Sequence, residues 1–221
     1  MSKLVWDDTG NRLYETGVDQ GVLFVKNSSG TYENGVAWNG LTAVNESPTG
    51  GEASPIYADN IKYLNLMSDE EFAGSIEAYT YPDEFAVCDG SVAIQQGVYA
   101  SAQPRKEFGF SYRTLVGNDV DGKEHGYKIH LVYNCLASPS DRSHSTVNDS
   151  PEAESLSWDF TTTPESFGPS SSYKPTAHIV IDSTKCDATK LTAFEAKLYG
   201  AQSTEPTLPS PAQVITDFTT P

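Results

Sequence analysis

The chain has 221 residues, of which 14 are basic and 30 are acidic, so its formal net charge is −16. A chain of this length can bury a substantial core, and it suits one large β domain with arms better than two complete domains. An acidic surface of this kind repels nucleic acid at long range, and the sequence contains no local basic patch. The charge therefore argues against a DNA-binding role, and the alternative explanation for the acidity is that it only keeps the protein soluble.

The cysteines, Cys88, Cys135 and Cys186, are far apart and form no CxxC motif. Their odd number and wide spacing favour reduced thiols and synthesis in the cytoplasm. Residues 1–10 have neither a basic start nor an apolar run, and no stretch approaches the roughly 20 apolar residues of a spanning helix. We therefore expect no export signal and no membrane insertion.

The first part of the chain predicts two strands and a long polar loop. Residues 21–26 and 36–44 have strand composition, whereas residues 45–59 are rich in proline and glycine and have little to bury. A long loop in a compact domain is commonly functional, so we interpret residues 45–59 as a binding arm. Residues 61–67 predict another strand with a clear apolar set. The predicted contact residues of the arm are Asn45, Glu46, Ser47, Pro48, Gly50, Gly51, Glu52, Pro55 and Tyr57.

The centre of the predicted fold is an antiparallel hairpin over residues 107–137. Residues alternate with period two in both halves, which is typical of strands. In the first half Phe108, Phe110, Tyr112, Thr114 and Val116 share a face. In the second half the shared face is predicted for Tyr127, Ile129, Leu131, Tyr133, Cys135 and Ala137. The turn between them is predicted at Asn118, Asp119, Asp121 and Gly122, residue types that tolerate turn geometry.

The rest of the chain predicts a surface loop over residues 137–152, a strand containing Trp158, a strand over residues 177–181 and one helix. The helix spans about residues 188–199, with Asp187 as N-cap and an apolar stripe that should lie against a sheet. Residues 201–221 contain four prolines and predict an extended tail. We expect a mainly β fold in which residues 1–200 form a β-sandwich of two packed antiparallel sheets with one flanking helix.

Motifs for chemistry are lacking. The segment from Asp119 to Gly122 has a faint likeness to a calcium loop, but Lys123 occupies a position where an oxygen ligand is expected. The histidines have no metal-binding spacing, and we interpret them as surface or packing residues. No nucleophile motif is present. We therefore assign no catalytic, cofactor-binding or metal-binding residue and expect that the chain is not an enzyme. The histidines are His125, His130, His144 and His178.

Seven strings of residues follow one another along the chain: residues 35–42 (GVAWNGLT), 45–48 (NESP), 57–63 (YADNIKY), 78–85 (AYTYPDEF), 103–106 (QPRK), 125–128 (HGYK) and 150–153 (SPEA). Together they resemble the major tail proteins, or tail tube proteins, of long non-contractile-tailed bacteriophages. The resemblance covers nearly everything from about Leu13 to Gly200, and its force comes from the number and order of the strings. It is weakest in the proline-rich end.

The resemblance implies a structural virion protein of the tail, synthesised in the host cytoplasm. Such subunits form hexameric rings that stack into a tube around a tape-measure protein, join tail-end proteins and later conduct the DNA into the host. The DNA passes through the lumen without specific binding. In this picture residues 45–59 would reach the adjacent ring, the central hairpin would line the barrel, and acidic residues would face the lumen.

Two other function classes remain as alternatives. An acidic carbohydrate-binding β-sandwich would account for the charge and for the 12 tyrosines and 3 tryptophans, since aromatic rings stack on sugars. Such a module is normally secreted, and we expect no export signal here. A sandwich hydrolase is weaker still, because the sequence shows no nucleophile or metal set.

Overall fold

The computed structural model describes residues 3–147, 149, 153–169 and 171–219. The helices are a 3-10 helix at Asp83–Val87, α1 (Ala188–Leu198) and α2 (Pro211–Thr219). The strands are β1 (Tyr14–Val25), β2 (Val36–Trp38), β3 (Leu41–Glu46), β4 (Thr49–Gly50), β5 (Ala53–Ala58), β6 (Ile61–Met67), β7 (Glu70–Glu71), β8 (Ala73–Ala78), β9 (Val92–Gln95), β10 (Val98–Ala100), β11 (Phe108–Asn118), β12 (Gly122–Ala137), β13 (Leu156–Thr162) and β14 (His178–Asp182).

The main sheet is antiparallel, with strand order β2-β1-β11-β12-β13-β8-β3 and with β14 paired to β12. Its two end strands, β2 and β3, are consecutive in the chain and are separated only by Asn39 and Gly40. The indole nitrogen of Trp38 donates to the Thr80 carbonyl oxygen at 2.9 Å, and Tyr79 N donates to Gly40 O at 2.9 Å. The sheet therefore curls until its two ends meet, and its halves form two packed layers.

The inner face of this curled sheet encloses an aromatic core. The centroids of the Trp38 and Phe85 rings are 4.6 Å apart, and those of Phe85 and Trp158 are 5.2 Å apart. Phe110 packs edge-on to Trp38 at 5.5 Å. These side chains are all nearly inaccessible to solvent. Trp38, Phe110 and Trp158 come from the two halves of the sheet, and Phe85 comes from the 3-10 helix, so burial of their apolar area holds the two layers together.

The outer face of the sheet is covered by α1 and α2. The predicted stripe of Leu191, Phe194 and Leu198 is buried against β12 and neighbouring strands, as its spacing indicates. Asp187 caps α1, because its Oδ1 accepts hydrogen bonds from the backbone nitrogens of Thr189 and Lys190 at 2.9 and 3.0 Å. The predicted helix and its N-cap are confirmed.

A β-bulge divides β12 into two parts. Phe108 lies opposite Cys135, and Phe110 lies opposite Val132, so a single residue of β11 faces both Tyr133 and Asn134. Asn134 adopts a φ of 49°, which asparagine tolerates better than most residues. The predicted single face of β12 is wrong beyond Tyr133, because the extra residue moves the following side chains to the inner core. Before the bulge β12 pairs with β14, and after it β12 pairs with β13.

The mainly β class with antiparallel sheets and a flanking helix is confirmed. The extended form predicted for residues 201–221 is corrected, since the segment contains α2. Pro211 suits the first turn of a helix, and Val214 is buried against the outer face of the sheet. Tyr133 Oη donates to Pro209 O at 2.9 Å, which fixes the segment before α2 to β12.

Some of the predicted segments lie partly outside the described residues. In the predicted surface loop these are residue 148 and residues 150–152, and the latter three belong to the string at 150–153. In the predicted tail they are residues 220–221. Among the residues that the structure does describe, no helix has the length and apolar character needed to cross a membrane.

Candidate functional site

The predicted polar loop is a two-stranded ribbon, which we call the arm and define as residues 47–72. Strands β5 and β6 pair along its length, and β4 and β7 pair at its base. Asp59 and Asn60 form its tip with φ values of 50° and 62°. Two consecutive positive φ values are typical of a type I′ turn, which matches the twist of a hairpin. The arm is therefore longer and more regular than the loop over residues 45–59 that the sequence predicts.

The predicted contact residues divide between the sheet and the arm. Asn45 and Glu46 end β3 within the main sheet, where they pair with β8. Gly50 lies in β4, while Pro55 and Tyr57 lie in β5. The remaining predicted residues, Ser47, Pro48, Gly51 and Glu52, lie between these strands. The structure thus places seven of the nine on the arm and leaves two at the point where the arm leaves the sheet.

The arm exposes apolar side chains that a monomer does not bury. Ile56 lies opposite Leu64, and Leu66 follows two residues later, so these three share one face of the ribbon. They are 40%, 39% and 56% exposed, and Met67 is 73% exposed. A two-stranded hairpin is only marginally stable alone in water, and contiguous exposed apolar groups mark interaction sites. This apolar face is therefore a candidate contact surface.

At the base of the arm lies a partly buried polar cluster, the root cluster, which consists of Glu46, Tyr112, His130 and His178. Tyr112 Oη donates to Glu46 Oε1 at 2.7 Å. His130 Nδ1 lies 3.1 Å from His178 Nε2 and 3.4 Å from Glu46 Oε1. The ring of Tyr112 stacks on that of His130 at 4.5 Å. Phe72, at the returning end of the arm, stacks on His178 at 4.4 Å. The cluster therefore connects both ends of the arm to β11, β12 and β14.

Burial controls the protonation of the root cluster. Burial lowers the pKa of His130, although the carboxylates of Glu46 and Glu15 act in the opposite direction. Burial likewise lowers the pKa of His178, to about 4. Burial, together with the hydrogen bond to Glu46, raises the pKa of Tyr112. Both imidazoles and the phenol are consequently neutral at pH 7.

The turn of the central hairpin is closed by Asn118. Its Oδ1 accepts from the backbone nitrogens of Val120 and Asp121 at 3.1 and 2.6 Å. Gly122 has a φ of 59°, and Asp119 Oδ1 accepts from Gly10 N at 3.0 Å. The four predicted turn residues thus lie together between β11 and β12, packed against the N-terminal segment.

A further exposed surface lies along β14. This strand pairs with β12 on one side, and no strand in the described part of the chain pairs with its other side. Val180 in β14 is 45% exposed and Tyr173 beside it is 66% exposed. An open groove of about 500 Å³ runs next to the strand and is lined by Ile179, Phe218 and neighbouring residues. A sheet edge with an adjacent apolar groove is a template for pairing with another chain.

Sequence analysis missed the root cluster and the exposure of β6. Glu46, His130 and His178 come from three different strands, so no local spacing joins them. For β6 the available signal was its set of apolar residues, which the sequence analysis did not interpret as an exposed contact surface. The pair Asp59–Asn60 was a usable hairpin signal, since these residue types tolerate positive φ.

Comparisons with known proteins identify no family for this chain. No protein-family model matches it, and no curated protein matches it. A chain of the "PVC sheath-tube complex in extended state" of an extracellular contractile injection system is 13% identical, with a TM-score of 0.32, over 74% of this chain and 88% of that one. A chain of the "anti-feeding prophage (AFP) baseplate" is 10% identical, with a TM-score of 0.37, over 84% and 99%. Similarity this low carries no inference about function.

Proposed function

We propose that this chain is a structural tail-tube subunit that assembles as hexameric rings, and that these rings stack into a tube through which phage DNA leaves the virion. The proposal is supported by the ordered strings that resemble tail tube proteins. It is supported independently by two unpartnered surfaces, the arm and the edge of β14. A subunit that forms rings and also stacks them needs a lateral and an axial contact.

The arm is the observation that carries this proposal. Every residue of β6 is exposed, yet the strand presents Ile61, Tyr63, Leu64, Leu66 and Met67 to solvent. Covering one leucine side chain contributes about 1.5–3 kcal/mol. Six copies of the arm inserted into a neighbouring ring would therefore give a strong axial contact. We assign the axial contact to the arm.

The edge of β14 suits the lateral contact. A neighbouring subunit that added a strand there would continue the sheet around the ring and cover Val180 and the apolar groove beside it. Strand addition satisfies backbone groups that otherwise remain open at a sheet edge. The ring would then close through β-sheet pairing, with the arm free to contact the next ring.

The net charge of −16 fits a channel for DNA. Carboxylates facing the lumen would repel phosphates, whereas attractive phosphate contacts would slow the passage of DNA. The field is screened over roughly 8 Å at physiological salt, so the effect requires a narrow bore. We expect the lumen to be lined by acidic groups. A tube with a neutral or basic lumen would contradict this part of the proposal alone.

Electron microscopy of the purified chain tests the proposal. We expect rings or tubes from the wild type. In a shortened-arm variant, residues 51–69 are replaced by Asn-Gly, which keeps the β4–β7 pair and leaves the root cluster intact. This variant should remain folded by circular dichroism but form no tubes. Normal tubes from the variant would contradict the role of the arm. A monodisperse wild-type monomer that binds glycans would instead support a carbohydrate-binding module.

A further inference from the structure

The proton positions in the root cluster follow from its hydrogen bonds. Thr114 Oγ1 lies 2.6 Å from Glu15 Oε1, and a carboxylate only accepts, so the threonine hydroxyl donates its single proton there. The same oxygen lies 3.1 Å from His130 Nε2, which must therefore be the donor. In a neutral imidazole the other nitrogen, His130 Nδ1, is then an unprotonated acceptor.

This assignment leaves two electron-rich atoms facing one another. His130 Nδ1 carries a lone pair, and Glu46 Oε1, a carboxylate oxygen, lies 3.4 Å from it. No proton is available between these two atoms, because the hydrogen bond that Glu46 Oε1 accepts here comes from Tyr112 Oη at 2.7 Å. A cation placed between Nδ1 and the carboxylate would turn this repulsion into attraction.

The third donor completes the set that a transition metal prefers. His178 Nε2 lies 3.1 Å from His130 Nδ1, so Nε2 donates a hydrogen bond to this unprotonated nitrogen. A metal ion would replace that hydrogen bond, with the proton of the neutral His178 ring moved to its Nδ1. The donor atoms of Glu46, His130 and His178 all lie within 4.8 Å of one another. Tetrahedral zinc has metal–ligand distances of about 2.0–2.2 Å, which places its ligands roughly 3.3–3.5 Å apart. We propose that Glu46 Oε1, His130 Nδ1 and His178 Nε2 bind one divalent transition-metal ion of the zinc type.

The surroundings of the three ligands fit this role. Hydrogen bonds from His130 Nε2 to Thr114 and from Thr114 to Glu15 orient the imidazole ring and increase its basicity. Neutral imidazoles are the form that metals bind. An open groove of about 830 Å³ borders His178, and the Glu46 side chain is 39% exposed, so an ion can reach two of the three ligands from solvent.

The ion would fix the arm to the core. Glu46 is the last residue of β3 before the arm, whereas His130 lies in β12 and His178 begins β14. A metal bond from Glu46 to both histidines would therefore join three strands at the point where the arm leaves the sheet. This effect does not depend on tube assembly, so it can be tested on the monomer.

Metal titration of the tag-free full-length chain, after removal of metals with a chelator, tests the site. With Co²⁺ as probe we expect one ion per chain, the visible absorption of tetrahedral cobalt, displacement by Zn²⁺ and a higher Tm with Zn²⁺. Absence of a stoichiometric cobalt spectrum in the wild type would overturn the proposal.

Three variants assign the ligands. His178→Gln and Glu46→Gln should each weaken Co²⁺ binding by more than the roughly 10–100-fold that follows loss of a residue hydrogen-bonded to a metal ligand. Glu46→Gln retains an acceptor for Tyr112, and the Glu46 side chain is 39% exposed, so this variant should fold even if His178→Gln does not. The matched control is His144→Gln, which removes an exposed histidine paired with Glu154 at 3.0 Å and should bind like the wild type. Wild-type affinity in both ligand variants would refute the assignment.

Discussion

The hydroxyl of Tyr112 donates a 2.7 Å hydrogen bond to Glu46 Oε1. Tyr112 lies in the middle of β11 and is 1% exposed, whereas Glu46 is the last residue before the arm. The bond therefore joins a buried residue of the central hairpin to the strand residue that directly precedes the arm.

Tyr112→Phe should destabilise the protein because it removes a hydrogen bond to a charged acceptor. Such bonds contribute about 1.5–3 kcal/mol. For a chain of this size we expect Tm to fall by about 3–12 °C, measured by thermal unfolding. The control is Tyr79→Phe, at a residue that is 57% exposed. Equal decreases of Tm in the two variants would show that the hydrogen bond of the Tyr112 hydroxyl does not stabilise the protein.

Leu66→Asp should prevent ring stacking because it places a charge on the apolar face of the arm. Loss of one buried leucine costs about 1.5–3 kcal/mol, which raises the protein concentration needed for tube formation at least about tenfold. Sedimentation and electron microscopy measure this concentration. Asn65→Asp, on the opposite face of the same strand, is the matched control and should assemble normally. Assembly of Leu66→Asp at wild-type concentration would disprove an apolar axial contact.

Trp38→Phe should destabilise the protein because Trp38 joins the two ends of the curled sheet. The substitution leaves the Thr80 carbonyl without its donor, which costs at least about 1 kcal/mol, and the smaller ring adds a cavity. Chemical denaturation gives the free energy of unfolding. Trp6→Phe changes a tryptophan that is 74% exposed and should leave that free energy unchanged. A similar loss of unfolding free energy in both variants would contradict the role of Trp38 in joining the two ends of the sheet.

Lowering the pH should decrease the free energy of unfolding, in part because Asp182 becomes protonated. Burial raises the pKa of Asp182, but hydrogen bonds from Thr184 and Lys185 outweigh burial and leave this pKa below its ordinary value of 3.8. A group with a lowered folded pKa stabilises the protein above its unfolded pKa and loses that contribution as pH falls through the folded value. Asp182→Asn should therefore flatten the fall in unfolding free energy between about pH 5 and pH 2.

A double-variant cycle with Thr184→Ala isolates this contribution. Thr184 Oγ1 donates to Asp182 Oδ1 at 2.6 Å, so the two substitutions remove the same interaction. The double variant should lose less stability at pH 7 than the sum of the single variants. Strict additivity would show that this hydrogen bond does not set the acid response.

Salt should promote assembly of the purified chain. Subunits with a net charge of −16 repel one another, and added salt screens that repulsion. Light scattering should therefore show faster tube growth as ionic strength rises, while duplex DNA should not bind at any salt concentration. Faster growth at low salt would indicate that ion pairs, rather than apolar contacts, drive stacking.

Local patterns in the sequence were sufficient for most secondary structure. Period-two alternation identified both strands of the central hairpin, and Asp187 with its following apolar stripe identified α1. These signals are local, because a strand or a capped helix is encoded within about ten residues. The strong negative charge was equally plain from composition.

Only the tertiary structure decided which apolar residues are buried. Leu131 and Leu66 have the same hydrophobicity, but the first lies under α1 and the second on the arm, because burial depends on what packs above a strand. The bulge at Asn134 reversed a face through a single extra residue. Glu46, His130 and His178 met because the sheet curls, and a contact between three distant strands depends on chain topology rather than on any local spacing.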